Sequence, residues 1–280
     1  MRFGSVSVVI PAFNAEATIA RAVASAWSQT RRPDEVIVAD DGSSDGTALA
    51  AESAGATVLR LPHANGAVAR NRGVDAARGE LLFFLDADDV WTPHKVSAHL
   101  DTWAAHEVSF VYDVATQVRP DGTRAGLMGA GGEGPVPWES FLQWTTWASG
   151  SSFSVPRERS IAVGGFREEL VSQQDVDFWV RVASEFGPAW RVSASHTLYQ
   201  LSPGGVSKTP FAVSKNLETL LAGWPFASDQ QKREFFVLMA LTAAGFTPFP
   251  RCLEYLGLAG WPVLRPKFWR AIARSIRDAA

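Results

Sequence analysis

The chain has 280 residues, of which 46% are hydrophobic, and a formal net charge of −3 at pH 7. This length can bury one substantial core, or one core with an appendage. The slightly negative charge argues against a nucleic-acid partner, because proteins that bind nucleic acids normally carry a broad basic surface.

Four apolar runs alternate with helical stretches in the first 92 residues. The predicted strands are 5–10, 35–39, 56–61 and 81–85, and the predicted helices are 15–29, 47–53 and the later part of 65–78. This alternation predicts βαβ units and a parallel sheet. Polar loops at 11–14, 40–45 and 86–89 follow three of the strands. They should meet at one edge of the sheet, where ligands bind in open α/β folds.

Three carboxylates crowd the end of the fourth strand, at Asp86, Asp88 and Asp89. They repel one another unless a cation lies among them, and Mg²⁺ and Mn²⁺ prefer oxygen ligands that they share with substrate phosphates. We therefore predict a metal–diphosphate site. The alternative is an acidic cap for the helix that Thr92 and Pro93 introduce, which suits Asp89 but does not require the other two.

After Pro93 the pattern changes to shorter elements. Two strands, 108–118 and 123–127, predict a β-hairpin and hence an antiparallel extension of the sheet. Further on, the sequence predicts a short helix at 138–147, a strand at 151–155 and a helix at 174–186. Beyond 211 it predicts only helices. The glycine-rich stretch 126–134 and the stretch 202–210 should be mobile loops.

Five motifs, in the same order, resemble those of the family-2 glycosyltransferases, which have the GT-A fold. The motifs are 8–14, 38–47, 69–73, 84–89 and the pair 164–166 and 174–181. The resemblance implies an α/β, Rossmann-like, mostly parallel sheet flanked by helices, with an antiparallel acceptor-side extension. It implies a catalytic domain at 1–210, divided into a nucleotide-sugar half at about 1–92 and an acceptor half at about 93–210. A C-terminal helical extension at 211–280 would follow.

The resemblance also implies a nucleotide-sugar site. The residues that it places there are Pro11, Ala12, Asn14, Glu16, Asp40, Arg70, Asp86, Ala87 and Asp88. Asp40 is expected to accept a hydrogen bond from the base, and Arg70 to reach the nucleotide or its diphosphate. Asp88, with Asp86, is expected to hold Mn²⁺ or Mg²⁺, and Asp89 to cap a helix or support the site. The alternatives are a helix cap for Asp40 and a solvated helix charge for Arg70.

Asp175 is implied as the general base that takes the proton of the acceptor hydroxyl. That hydroxyl then attacks the anomeric carbon in line and inverts its configuration, while the metal neutralises the departing diphosphate. The family has an acidic pair here, whereas this chain has Gln174 before Asp175. We expect the pKa of Asp175 to be raised less than it would be beside a like charge. Helix capping is the alternative role, and Asp177 is the next candidate base.

A second departure lies at 199–202, where a family Tyr-Arg-x-His pattern is replaced by Tyr-Gln-Leu-Ser. Either Lys208 supplies the missing positive charge, or metal and diphosphate bind more weakly. His196, earlier in the strand, is expected to be structural.

The candidate acceptor residues are Trp147, Gln174 and Trp179, because sugars stack on indole rings. Core packing is the alternative for each tryptophan, and we favour it for Trp138 and for residues on helix faces. The latter are Trp27, Trp103 and Trp179.

The predicted function is an inverting glycosyltransferase that moves a sugar from a nucleotide-diphosphate sugar, most commonly a UDP-sugar in this family, to a hydroxyl of a glycan or lipid-linked glycan. A sugar-1-phosphate nucleotidyltransferase would need a glycine-rich basic loop after the first strand, which 11–16 lacks. A non-catalytic nucleotide-sugar-binding or scaffold protein is the other alternative. The presence of both Asp88 and Asp175 argues against it.

The expected location is cytoplasmic. Residues 1–4 run directly into a strand and leave no room for a signal peptide, and no apolar run approaches the ~20 residues that span a bilayer. The single cysteine, Cys252, cannot form an internal disulfide. The amphipathic segment 267–279 suits either contact with the inner face of the cell membrane or packing on the catalytic domain. The sequence does not indicate an oligomeric state.

Overall fold

The computed structural model describes residues 1–129, 131–142, 146, 148–170, 172–201, 223–228 and 231. The chain divides into two compact units, and the first comprises Met1–Phe141, Thr146–Glu168 and Gln174–Pro203. The described residues of the second unit are 142, 169, 170, 172, 173, 223–228 and 231. Several predictions concern residues outside this description, namely Trp147, Lys208, the loop 202–210, the amphipathic segment 267–279 and most of the extension 211–280.

The first half of the first unit is a parallel βαβ arrangement, which confirms the prediction. The strands are β1 (Val6–Ala12), β2 (Glu35–Asp40), β3 (Thr57–Arg60) and β4 (Leu81–Phe84), and the helices between them are α1 (Ile19–Trp27), α2 (Thr47–Ser53) and α3 (Gly66–Ala76). The sheet order here is β3-β2-β1-β4, with every pair parallel. Helix α1 begins later than predicted, because the chain before it bonds to the loop after β2: Ala15 N donates to Thr47 Oγ1 over 2.7 Å.

The second half extends the sheet with mixed strand directions. Its elements are β5 (Val90–Trp91), α4 (Lys95–Ala105), β6 (Val111–Val118), β7 (Arg124–Met128), β8 (Gly134–Val136), α5 (Trp138–Leu142), β9 (Phe153–Pro156), α6 (Arg157–Ala162), α7 (Gln174–Phe186) and β10 (Ala189–Gln200). The order continues from β4 as β9-β6-β10-β5, with β7 on β6 and β8 on β10. Strand β9 is antiparallel to β4, and β7 is antiparallel to β6, as the hairpin prediction required.

Strand β4 is apolar on both faces, so both faces of the sheet must be covered by other elements. Phe83 belongs to the core formed with α1 and α4, whereas Phe84 stacks on Phe153 of β9 at 4.9 Å between ring centroids. Close packing of α3 on β1 requires glycine, since a Cβ at Gly73 would lie 2.3 Å from Val9 Cγ1. Together these contacts give the α/β architecture that the sequence predicted.

One prediction is corrected here, and three elements were missed. The stretch 126–134 is regular at both ends, because its main chain pairs with neighbouring strands: Gly126 pairs with Gln117 in β7, and Gly134 pairs with Arg191 in β8. Helix α6 and the short strands β5 and β8 were not predicted, since their residues have no clear period. Across the described part of the chain, no helix is long and apolar enough to cross a membrane.

Candidate active site

Loops from the ends of β1, β2 and β4 meet at one edge of the sheet, as predicted. The main-chain N–H of Asn14 donates to Ser43 Oγ over 2.9 Å, which joins the first two loops. Arg21 of α1 donates to the main-chain oxygen of Asp88 over 3.2 Å, which ties the third loop to the same edge. Parallel strands therefore present their polar ends together, and a single ligand can contact all three loops.

The loop after β2 holds Asp40 in a fixed orientation. This carboxylate is 4% exposed and accepts from Ser43 N over 3.1 Å. It does not cap α2, because Asp45 accepts from the first helical N–H, that of Thr47, over 3.0 Å. The cap alternative for Asp40 is thereby removed, and Asp40 lies at the end of β2, where its main chain pairs in register with Ala12 at the end of β1.

Other residues predicted to bind the nucleotide also take part in the structure of these loops, and their contacts with the nucleotide stay predictions. Asn14 has the left-handed φ of 48°, and its side-chain oxygen accepts from Ser44 N over 2.9 Å. Glu16 accepts from Gly46 N over 3.1 Å, at a position where a Cβ on that glycine would lie 2.5 Å from the carboxylate. Ala12 is buried, as is Ala87 in the loop after β4.

Phe13 is a residue of this edge that the sequence reasoning missed. Its side chain is 47% exposed and stacks on His63 with 4.2 Å between ring centroids. His63 is itself held by Asp41, with 3.0 Å between Nδ1 and Oδ2. An exposed, pre-oriented aromatic ring just after β1 offers a flat surface to a nucleotide base. The signal in the sequence was a phenylalanine shortly after the predicted first strand, in the loop 11–14.

The loop after β4 concentrates negative charge. Burial raises the pKa of Asp88 to about 6, and the nearby carboxylate of Asp86 adds to the rise. Asp86 is paired with Arg70, with 2.6 Å between Oδ1 and Nη2. A divalent cation would relieve the repulsion between Asp86 and Asp88, so their chemistry fits Mg²⁺ or Mn²⁺. Among the described residues, no three acidic, histidine or cysteine side chains form a complete cage, and substrate phosphates would have to complete the coordination.

Asp89 supports this loop and does not cap a helix. It is 1% exposed, and its two carboxylate oxygens accept from Ser151 Oγ at 2.5 Å and from Gln200 N at 2.8 Å. Burial, together with the charges of Asp86 and Asp88, raises its pKa well above the usual range. The capping alternative is therefore wrong, and the supporting role is correct.

Asp175 lies in the first turn of α7, where the charges of Arg70 and Asp86 act on its carboxylate. Burial raises its pKa, the charge of Arg70 opposes the rise, and the carboxylate of Asp86 adds to it. The main cause of the raised pKa is burial, which the sequence did not reveal. An acidic residue at position 174, in place of Gln174, is not needed for the rise. Burial thus increases the affinity of this carboxylate for a proton, which suits a general base.

Arg70 links the loop after β4 to the start of α7. In addition to its pairing with Asp86, it donates from Nη1 to Gln174 Oε1 over 3.2 Å. Its side chain is 13% exposed, which excludes a solvated helix charge. A cation fixed between the loop after β4 and the start of α7 can neutralise phosphate charge close to Asp175.

Asp177 is unsuited to be the alternative base. It is fully buried and paired with Arg181, with 2.6 Å between Oδ2 and Nη2. Arg181 also donates to Gly165 O over 2.8 Å. The main chain after Gly165 is fixed in turn by Asn71, whose Oδ1 accepts from Phe166 N over 2.8 Å. These contacts make Asp177 part of the frame that holds α7 against α3.

The structure corrects the candidate acceptor role of Trp179. This residue is 0% exposed, and its ring centroid lies 5.7 Å from that of Phe153. Core packing, the alternative, is what the structure shows, and it also holds for Trp103, which is fully buried. Gln174 remains at the site through its bond to Arg70.

The end of β10 adds Tyr199 to the site. Burial raises the pKa of its phenol, and the carboxylates of Asp89, Asp86, Asp88 and Asp175 raise it further. The neutral hydroxyl therefore lies in the same electrostatic environment as the metal loop and the candidate base. His196 is structural, as predicted: its ring Nδ1 is 3.2 Å from Thr92 Oγ1, and its main-chain N–H donates to buried Asp113.

Comparison with known proteins identifies related sequences and folds. A family model described as "Glycosyl transferase family 2" matches residues 7–160, more than half of the chain. Two relatives from Escherichia coli, WfgD and WfaP, are both named UDP-Glc:alpha-D-GlcNAc-diphosphoundecaprenol beta-1,3-glucosyltransferase. WfgD is 35% identical over 38% of this chain and 44% of its own length. WfaP is 27% identical over 74% of this chain and 81% of its own length.

A third relative, the amylovoran biosynthesis glycosyltransferase AmsB of Erwinia amylovora, is 39% identical over 34% of this chain and 35% of its own length. The matches to WfgD and AmsB thus span less than half of each relative. Among solved structures, S. aureus TarS 1–349 in complex with UDP superposes with a TM-score of 0.68 at 18% identity. The match covers 98% of this chain and 89% of TarS 1–349. This likeness confirms the predicted GT-A fold.

Proposed function

The chain belongs to glycosyl transferase family 2, and from this premise we propose that it is an inverting glycosyltransferase of polysaccharide biosynthesis. It moves a sugar from a UDP-sugar to a hydroxyl of a glycan or lipid-linked glycan acceptor. The observation that carries the proposal is the position of Arg70, which bonds both Asp86 and Gln174. The guanidinium of Arg70 thereby links Asp86, whose carboxylate suits a metal and diphosphate site, to Gln174, the residue before Asp175.

The donor nucleotide is proposed to bind at the ends of β1 and β2. Asp40 is oriented to accept a hydrogen bond from the base, and the exposed ring of Phe13 offers the base a stacking surface. Uracil is the proposed base because WfgD and WfaP are named for UDP-Glc. Arg70 is proposed to contact the diphosphate, whose negative charge suits a fixed guanidinium.

Mn²⁺ or Mg²⁺ is the proposed cofactor, held by Asp88 and Asp86. When bound, such a cation supplies charge neutralisation for the departing diphosphate. The supporting observation is the repulsion between these carboxylates, which contributes to the raised pKa of Asp88. The hydrogen bond between Ser151 and Asp89 holds this loop against the rest of the protein.

Asp175 is proposed to take the proton from the acceptor hydroxyl. Its pKa is raised by burial, so its affinity for a proton is greater than that of an exposed carboxylate. Attack by that hydroxyl from the side opposite the leaving diphosphate would invert the anomeric carbon in a single displacement. Arg70 would keep the diphosphate and the base at a fixed separation during this step.

The names of the relatives support a proposal for the acceptor and the place of action. Since WfgD and WfaP are named for a diphosphoundecaprenol acceptor, we propose a lipid-linked glycan, used at the inner face of the cell membrane. Residues 1–210 form the proposed catalytic domain and 211–280 the helical extension. Contact of 267–279 with anionic lipid and an acceptor role for Trp147 stay predictions.

The proposed function is tested by measuring UDP release from a panel of UDP-sugars, with a lipid-linked glycan acceptor and with Mn²⁺ or EDTA. We expect metal-dependent release that Asp175→Asn reduces strongly. A protein that binds UDP with metal but releases none from any donor would instead be the non-catalytic alternative. GDP-sugars and dTDP-sugars in the same panel test the choice of nucleotide.

A further inference from the structure

We propose that Ser151, in the segment just before β9, is a positioning residue that sets the affinity of the metal loop for a divalent cation and diphosphate. The metal loop is defined here as Asp86–Asp89. This inference rests on the proposed function, because it assigns a role toward the cation and diphosphate of that reaction. Ser151 belongs to the acceptor half of the sequence, and none of the five family motifs includes it.

One hydroxyl holds both ends of the metal loop. The main-chain N–H of Asp86 donates to Ser151 Oγ over 2.9 Å, and that same Oγ donates to Asp89 Oδ2 over 2.5 Å. The hydroxyl thus acts as acceptor for the first residue of the loop and as donor for the last. Asp88 lies between these two fixed points, so its direction depends on both bonds.

Ser151 can hold the loop because its own main chain is anchored in the core. Its carbonyl oxygen accepts from Trp91 Nε1 over 2.8 Å and lies 3.4 Å from Thr197 Oγ1. Thr197 Oγ1 in turn donates to the carboxylate of Asp113 over 3.0 Å, and Asp113 is fully buried in an ion pair with Lys95. Ser151 is itself 0% exposed. The bonds to the loop therefore start from a rigid base.

The preceding residue, Gly150, sets the position of the Asp86 carboxylate. A Cβ added at Gly150 would lie 2.7 Å from Asp86 Oδ2, closer than unbonded atoms approach. The glycine therefore permits Asp86 to lie against the main chain of this segment. Gly150 and Ser151 together determine where the two proposed metal-binding carboxylates point.

The segment also supplies a matched control. Ser149 is 3% exposed, and among the described residues its Oγ has no hydrogen-bond partner. Ser149→Ala and Ser151→Ala thus remove the same atom from two buried serines two positions apart. Only the second removal takes bonds away from the metal loop.

The test is calorimetric titration of the full chain with UDP, with Mn²⁺ and with EDTA. Partners that orient metal-ligating side chains typically contribute ~10- to 100-fold to metal affinity. We therefore expect Ser151→Ala to weaken UDP binding in Mn²⁺ by about 10-fold or more, to raise the Mn²⁺ concentration for half-saturation, and to leave UDP affinity in EDTA within about 2-fold. Ser149→Ala should match wild type in all three measurements.

Gly150→Ala provides a second route if Ser151→Ala does not fold. It removes no hydrogen bond but displaces the Asp86 carboxylate, so it should reduce Mn²⁺-dependent binding in the same direction. Wild-type affinity for UDP and Mn²⁺ in both variants would overturn the positioning role. An equal loss with Mn²⁺ and with EDTA would also overturn it, since it would mark a general structural effect. Failure of wild type itself to bind UDP with Mn²⁺ would instead contradict the proposed function.

Discussion

Arg70 Nη2 lies 2.6 Å from Asp86 Oδ1, and this pair connects α3 with the loop after β4. The same guanidinium reaches Gln174 at the start of α7. Asp175, the candidate base, follows directly, and the charge of Arg70 opposes the rise of its pKa. In the proposed reaction, donor binding and proton transfer would therefore both depend on Arg70.

Metal-dependent UDP binding should weaken as the pH falls through about 6. The pKa of Asp88 is raised to about 6, chiefly by burial, so below that pH its carboxylate is protonated and must lose the proton before it binds metal. Above that pH the carboxylate is free and affinity should level off. Calorimetry of UDP with Mn²⁺ between pH 5 and pH 8, roughly the range in which both forms are populated, checks this.

The control for this titration is Asp88→Asn, which cannot gain or lose the proton. We expect it to lack metal-dependent binding at every pH and to keep the wild-type fold, because it removes repulsion as well as a ligand. Metal-dependent affinity that stayed flat below pH 6 in wild type would refute the assignment of Asp88.

Asp175→Asn should retain UDP binding and lose transfer by about 10²-fold or more, the scale expected for a general base. The amide keeps the size of the side chain but cannot accept the proton. The measurement pairs UDP titration with initial rates at saturating donor. Near-wild-type rates would show that Asp175 is not the base, and buried Asp177 could not replace it because Arg181 holds its carboxylate.

Phe13→Ala should weaken UDP binding in the presence and absence of metal alike. Stacking of a base on an aromatic ring contributes about 1–3 kcal/mol, so the affinity should fall by about 5-fold or more. Leu49→Ala is the control, since Leu49 is also exposed, at 67%, but lies on α2. Equal UDP affinities for the two variants would exclude a stacking role for Phe13.

Lys95→Met should destabilise the protein by about 3–5 kcal/mol, because it leaves the carboxylate of Asp113 buried without its partner. Both side chains are 0% exposed, and although burial alone would raise the pKa of Asp113, the charge of Lys95 lowers it to about 2. Denaturant unfolding measures the loss. The double variant Lys95→Met/Asp113→Leu should recover much of it, since no charge then remains unpaired; equal stability of wild type and Lys95→Met would contradict this account.

Much of the fold could be predicted from local sequence pattern. The run 81–85 is apolar throughout because β4 is covered on both faces, and polar residues begin where the strand ends. The same logic placed the three loops at one edge. Elements with weak periodicity, such as β8 and α6, depend on pairing and packing partners that are distant in the chain, so local pattern did not reveal them.

The candidate site was predictable only in part. The motifs indicated Asp86, Asp88, Arg70 and Asp175, but periodicity could not decide whether Trp179 faces the core or a cleft. The role of Ser151 depends on contacts across more than 60 positions of the chain, with 65 between it and Asp86. Such long-range hydrogen bonds follow from the tertiary fold and leave no local signal.

The most direct test of the account is the anomalous scattering of manganese in crystals of the protein with UDP and Mn²⁺. We predict one strong peak at the carboxyl end of β4, within coordinating distance of an Asp88 carboxylate oxygen and the UDP phosphates, with the uracil ring beside Phe13 and Asp40. UDP bound with its phosphates away from the metal loop, or a manganese peak elsewhere, would contradict the proposed donor site.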